Sequence, residues 1–157
     1  MWDPLLVAAM PTAAAQKAYI GRLFDRAAAS YDRIGNALFA PAGADLVAAA
    51  ALRPGDRVLD VGCGRGAALF PAAEAVGVTG SVAGIDLVAA MVAATPADIT
   101  RRGVANASVR VGDAESPEFP DRSFDAVLAG FVLFFLPDLA AALRACARLL
   151  RPPPGSR

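Results

Sequence analysis

The chain contains no histidine. Imidazole general-base chemistry, a histidine-centred triad and histidine-ligated metals are therefore excluded within it. Cysteine is nearly as scarce: Cys63 and Cys146 provide neither a disulfide framework nor a metal-ligand pair at useful spacing, so no metal site is expected. Net charge is lacking too, with 15 basic residues against 15 acidic. No overall field draws nucleic acid or anionic lipid. Lys17 is the single lysine, and no Arg/Lys run builds a local basic patch. No apolar run reaches the roughly 18 residues of a spanning helix. The opening MWDPLLVAAMP has no basic leader and reads poorly as a signal peptide. These absences predict a cytoplasmic protein with reduced thiols, binding neither nucleic acid nor membrane.

What is present is a globular composition, 56% apolar and 19% charged over 157 residues, enough for one domain with a real core. Residues 12–51 are alanine-rich and helical in flavour, with Tyr19, Ile20, Leu23 and Phe24 spaced for one face. Breaks are expected near Tyr31-Asp32, at Gly35-Asn36 and at Pro41-Ala42-Gly43. Beyond Arg53-Pro54-Gly55-Asp56, short apolar runs bounded by turns alternate with helical stretches. Strands are predicted at Arg57–Val61, Ser81–Ile85, Ala107–Val111 and Phe124–Leu128. The third, less apolar, is expected nearer an edge. Helices are predicted at Ala67–Val76, from Leu87 to Arg102 with Pro96 bending or splitting it, and from Pro137-Asp138 to Leu150. Such alternation implies an α/β fold, a parallel sheet with flanking helices and right-handed crossovers. Residues 1–51 are read as a helical cap or lid, and 52–157 as a Rossmann-like core.

Chemistry concentrates after the strands. Asp60-Val61-Gly62-Cys63-Gly64-Arg65-Gly66 places alternating glycines at a strand-to-helix turn, where they permit positive φ and close approach of a ligand. The plainer reading is a tight turn needing glycine for geometry alone. The loop also satisfies the G-x-G-x-x-A pattern of dinucleotide oxidoreductases through Gly62, Gly64 and Ala67, and does not by itself decide. Asp60 argues against that rival, since a carboxylate there crowds a pyrophosphate with like charge and suits a ligand carrying ammonium and sulfonium groups. Asp86 ends the second strand about 20 residues on, where it can accept from both ribose hydroxyls. It is equally placed to cap the helix beginning at Leu87. Gly112-Asp113-Ala114-Glu115 follows the third strand, a position that elsewhere is usually just a turn.

DVGCGRG resembles the D/E-x-G-x-G-x-G loop of class I, Rossmann-like S-adenosylmethionine-dependent methyltransferases. The resemblance implies that Asp60, Gly62, Cys63, Gly64 and Gly66 hold the methionine moiety of S-adenosylmethionine, with S-adenosylhomocysteine as product. It further implies that Asp86 and Leu87 meet the ribose, that Met91 packs on adenine, and that Gly112, Asp113 and Ala114 meet the adenine edge. Ala129, Gly130 and Phe131, past the fourth strand, are implied to line the methionine end and face the acceptor. Their apolar neighbours are equally explained by burial. Many relatives carry a histidine pair where this chain has Phe134-Phe135. FDRAAASYDRIG is similar to the N-terminal helix of quinone-biosynthesis C-methyltransferases and related small-molecule enzymes, in which Tyr31 closes over the methionine carboxylate or the methyl. A boundary tyrosine with its hydroxyl in water is the alternative.

The reaction implied is in-line methyl transfer to a phenol, quinol or enol, for which positioning supplies much of the acceleration. Asp32, Tyr31 and Glu115 are the groups on hand for a base, and none is assigned. The ending ARLLRPPPGSR follows the family pattern to Arg151-Pro152, where relatives continue with Pro-Gly-Gly into a fifth strand. A fold truncated after the fourth strand and its helix is expected, leaving that strand an unpaired edge in the order 3-2-1-4-5. Exposing half a dozen large apolar side chains forfeits on the order of 10 kcal/mol, at about 1.5–3 each. A homodimer or a partner chain covering Val127–Leu136 is therefore expected. A non-catalytic methyltransferase-like subunit and a nucleotide-linked oxidoreductase stand as the alternative functions.

Overall fold

Four short apolar runs, each ended by glycine, aspartate or proline, assemble into one parallel sheet in the order β3-β2-β1-β4. The computed structural model describes residues 12–28, 31 and 38–152. The opening MWDPLLVAAMP, Asp32, Gly35-Asn36 and Pro153-Pro154-Gly155 lie outside the described residues. Strand β1 spans Arg57–Val61, β2 Ser81–Asp86, β3 Ala107–Val111 and β4 Ala126–Leu128. β1 pairs with β2 from Arg57↔Ser81 to Val61↔Ile85 and with β4 from Val58↔Ala126 to Asp60↔Leu128. β3 lies at the edge its polar alternation predicted, with Ser108, Arg110 and Val111 exposed.

Helix α1 covers Ala13–Ala27 and α2 Phe39–Ala50; α3, α4 and α5 cover Leu69–Val76, Ala89–Arg102 and Leu139–Leu149. Three expectations need correction. Pro41-Ala42-Gly43 is no break: it lies inside α2, with Pro41 in the first turn, where no intrahelical amide bond is lost. Gly43 instead brings α2 against the glycine-rich loop, since a Cβ there would collide with the Ala67 carbonyl. Pro96 neither splits nor ends α4, which begins at Ala89 rather than Leu87. β4 is shorter than predicted, but Phe124 bridges to Leu150, and the Arg151 amide donates to the Phe124 carbonyl at 2.8 Å. The chain leaving α5 thus pairs with the approach to β4, so this edge is only partly open.

Alternation along the strands divides the core in two. Val58, Val82 and Leu128 pack with Leu69, Phe70 and Val76 of α3 and Val47 of α2. Leu59, Val61 and Ile85 pack on the opposite side with Phe124 and Leu149. The stretch 127–136 is less bare than expected. Leu128 is buried, and Val127, Ala129, Val132 and Leu136 pack against the second cluster. Exposure concentrates in Phe131, Leu133 and Phe134, the last at 69%. A third, smaller cluster joins the end of α1 to the start of α4 through Phe24, Ala28, Tyr31, Val88 and Met91.

Candidate functional site

The described residues expected to hold the cofactor lie beyond the carboxyl end of a strand, on it, or on the helical layer above that edge. This is where open parallel sheets place their ligands. Gly62, Gly64 and Gly66 turn the chain out of β1 with φ of 67°, 49° and 87°. At Gly62 a Cβ would strike Val132, whereas at Gly64 it would meet nothing within 4 Å. The first glycine is thus required by packing and the second leaves open space beside its backbone.

The loop is held from two sides. Asp86, at the end of β2, accepts from the Gly64 amide through Oδ2 and from the Val88 amide through Oδ1, each at 2.8 Å. The helix cap expected of it is not formed as such: α4 starts at Ala89 after Val88, which has no side-chain cap, and Asp86 instead accepts from the Val88 amide just before the helix and from the loop. Burial pushes its pKa up, and the two amides pull it back. From the other side, α4 presents Met91, Thr95 and Asp98, one buried stripe at helical spacing. Thr95 Oγ1 lies 3.1 Å from the Gly64 carbonyl and 2.9 Å from that of Met91. Asp98, 5% exposed, pairs with Arg65 at 2.6 Å and with Arg101. Burial works against its charge, but the two guanidinium groups hold its carboxyl below the usual range.

Asp60 is the anomaly of β1. It is 2% exposed, and its Oδ2 has no hydrogen-bonding partner. Burial, and then the negative charge of Asp86, push its pKa up to about 7 against the pull of the Leu69 amide. Cys63 turns its thiol into the first core cluster, beneath the missing side chain of Gly84. Burial and the charges of Asp60 and Asp86 push that thiol far up, so it is inert and offers the cleft only main chain.

Asp113 follows β3. Its Oδ1 accepts from the Glu115 amide at 2.9 Å, and its Oδ2 from Lys17 Nζ of α1 at 2.6 Å. Lys17 also pairs with Glu115. Burial would lower the lysine pKa, but the two carboxylates raise it, so it stays charged. Gly112 beside them packs closely on Ile85, which a Cβ would approach to 3.0 Å.

These elements line a cavity of about 180 Å³ and, adjoining it, a cleft of about 1370 Å³. Gly62, Gly64, Asp86, Leu87, Met91, Gly112, Asp113 and Ala114 line the cavity. Asp60, Cys63, Gly66 and Ala129 line the cleft. Tyr31, Gly130 and Phe131 line both. Asp86 and Asp113, 27 positions apart in sequence, therefore face one space. Tyr31 is kept a phenol, because burial and the charge of Asp86 both raise its pKa. Phe131 takes φ of 58°, uncommon for a residue with a side chain.

Sequence reasoning did not assign four contributors. Lys17 was noted only as the single lysine, although its charge beside an acidic post-strand turn was a usable signal. Thr95 and Asp98 at i, i+4, i+7 with Met91 form a stripe that reads as polar until Arg65 is placed opposite. Phe39 carried no signal, because its place depends on where α2 docks. Among the described residues no group of acidic and cysteine side chains is arranged to hold a metal.

Comparison with known proteins bears on the family. A family model described as a methyltransferase domain matches residues 58–153. The chain is 46% identical over 134 residues to aklanonic acid methyltransferase DauC of Streptomyces sp. (strain C5), covering 85% of this chain and 61% of that protein. It is 50% identical over 130 residues to nocamycin O-methyltransferase of Saccharothrix syringae, covering 83% of this chain and 46% of that protein. The chain thus spans about half to three fifths of the length of these relatives. Among solved structures, a SAM-dependent methyltransferase from Aquifex aeolicus superposes with a TM-score of 0.65 at 26% identity, over 70% of this chain and 58% of that one.

Proposed function

The chain belongs to the class I, Rossmann-like S-adenosylmethionine-dependent methyltransferases, and from that premise we propose that it methylates a small molecule of phenol, quinol or enol type. The observation that carries this reading is the pairing of Asp86 and Asp113 on one cavity, with the glycine-rich turn between them and Asp60 behind it.

The residues present fit the cofactor. The unpartnered Asp60 Oδ2 is a buried acceptor awaiting positive charge, and the bare backbone at Gly64 leaves room alongside. Each Asp86 oxygen keeps a lone pair after accepting its amide, which suits two vicinal hydroxyls. Asp113 faces the same cavity and suits an exocyclic amine, while Gly112, Ala114, Leu87 and Met91 supply apolar or backbone walls. Acidic groups on three sides disfavour a pyrophosphate, which counts against a dinucleotide. Bound here, the cofactor supplies a methyl group on a sulfonium, an already activated leaving group. The protein's own task is then alignment and exclusion of water. Tyr31 holds its proton and acts as a donor at the junction rather than as a base.

We assign the working unit to a second copy of this chain over the exposed part of 127–136. Leu133 and Phe134, with Leu139 and Leu143 of α5, are large apolar residues left exposed in one chain. Light scattering should report a dimer; a stable monomer at low concentration refutes this. Among the described residues no helix is long and apolar enough to cross a membrane. A reducing cytoplasmic setting suits the two free cysteines.

Calorimetric titration with S-adenosylmethionine and with NAD tests the cofactor, and radiolabelled methyl transfer to phenols and quinols tests the activity. Binding of the first ligand with transfer is the expected result. Binding without transfer to any such acceptor identifies a non-catalytic subunit, and binding of NAD alone overturns the reading.

A further inference from the structure

Where the small cavity adjoins the wide cleft, the walls are aromatic. Tyr31 and Phe39 stack with planes 4° apart and centroids at 5.3 Å. Phe131 meets Phe39 edge-to-face at 5.2 Å. All three line both spaces. Phe131 reaches this position from a left-handed backbone conformation, and a side chain held there against preference points to a built feature rather than a default turn. It nonetheless stays 44% exposed, so its ring is not consumed in the core.

Charge at the junction points the same way. Arg65 is engaged by Asp98, and Arg102 lies over the Phe70 ring at 4.2 Å to its centroid. These cations of the cleft are committed elsewhere. The junction itself is lined by the three rings of Tyr31, Phe39 and Phe131, with one phenolic hydroxyl among them.

We propose that Phe39, with Tyr31 and Phe131, forms an acceptor platform: a flat, conjugated, uncharged ring extends the Tyr31–Phe39 stack against the edge of Phe131, presenting its nucleophilic atom toward the small cavity. Stacking selects planarity, because offset and edge-to-face contacts need a π face on both partners. The Tyr31 hydroxyl then orients a ring oxygen by donating to it. This rests on the methyl-transfer reading for its direction but not for its chemistry, since ring binding is measurable without turnover.

The test titrates 2-naphthol and its saturated counterpart decahydro-2-naphthol into the protein, with and without saturating S-adenosylhomocysteine. The wild-type protein should bind the flat probe at least about tenfold more tightly than the puckered one, the scale of a favourable ring pair. Phe39→Leu should remove most of that difference, and Phe39→Trp should keep it. Equal affinity for the two probes, or an unchanged preference in the Phe39→Leu protein, overturns the platform while leaving the cofactor site intact. A preference for the flat probe with no S-adenosylhomocysteine binding supports the platform and sinks the cofactor reading instead.

Discussion

Asp60 stores a cost in the cofactor-free protein. Its carboxyl, ordinarily near 3.8, titrates at about 7 because burial and Asp86 oppose its charge. Between those values the folded chain holds a proton that the unfolded chain has lost. Wild-type stability therefore falls as pH rises through that window. Asp60→Asn removes the titration. Its stability relative to wild type should rise by on the order of 2–4 kcal/mol from pH 4 to pH 8, read by urea denaturation at each pH. The same variant should bind S-adenosylhomocysteine at least about tenfold more weakly, having lost its negative charge. A flat stability difference across the range contradicts the placement of Asp60. The residue was legible in sequence as an acidic break in an apolar strand; its missing partner was not, because that depends on which face of β1 meets α3.

At the scale of elements, the glycine-rich loop is clamped between β2 and α4, and α1 closes the far end. Removing the Asp98 carboxylate takes a buried partner from both Arg65 and Arg101. Asp98→Ala should cost about 2–4 kcal/mol at pH 7. Because the folded carboxyl titrates below its ordinary value, that contribution is present above the usual carboxylate range and is lost as pH falls through the lowered value. The gap between wild type and Asp98→Ala should accordingly narrow on acidification. Helix α1 has no buried residue. It is tied down by Lys17, by Phe24 against Phe135 at 5.2 Å, and by Gln16 reaching the Phe135 carbonyl at 3.5 Å. Lys17→Met should speed S-adenosylhomocysteine release about three- to tenfold in stopped-flow measurements, the kinetic share of one partly exposed ion-pair cluster. An unchanged release rate means that α1 is no lid. The strands and most helix boundaries could be read from apolar runs and their glycine or proline punctuation. The run through Pro41-Ala42-Gly43 could not, since its turn-like composition is tolerated in a first helical turn and then used for close packing on Ala67.

Over the whole molecule, the parallel order β3-β2-β1-β4 gathers the ends of four strands along one rim. Strand-end residues separated by up to 71 positions, Asp60 to Phe131, thereby meet around two connected spaces. Sequence order and strand-end position made this convergence readable. The division into a small cavity and an aromatic-walled cleft was not, because it depends on α1 and α2 folding back over the rim. The central claim is that Asp86 and Asp113 grip the two ends of one adenosine. A crystal structure with S-adenosylhomocysteine tests it most directly. The account predicts the ribose hydroxyls on the Asp86 carboxylate and the adenine amine at Asp113, with the amino-acid end toward Asp60. Density for the ligand away from either Asp86 or Asp113 would contradict it.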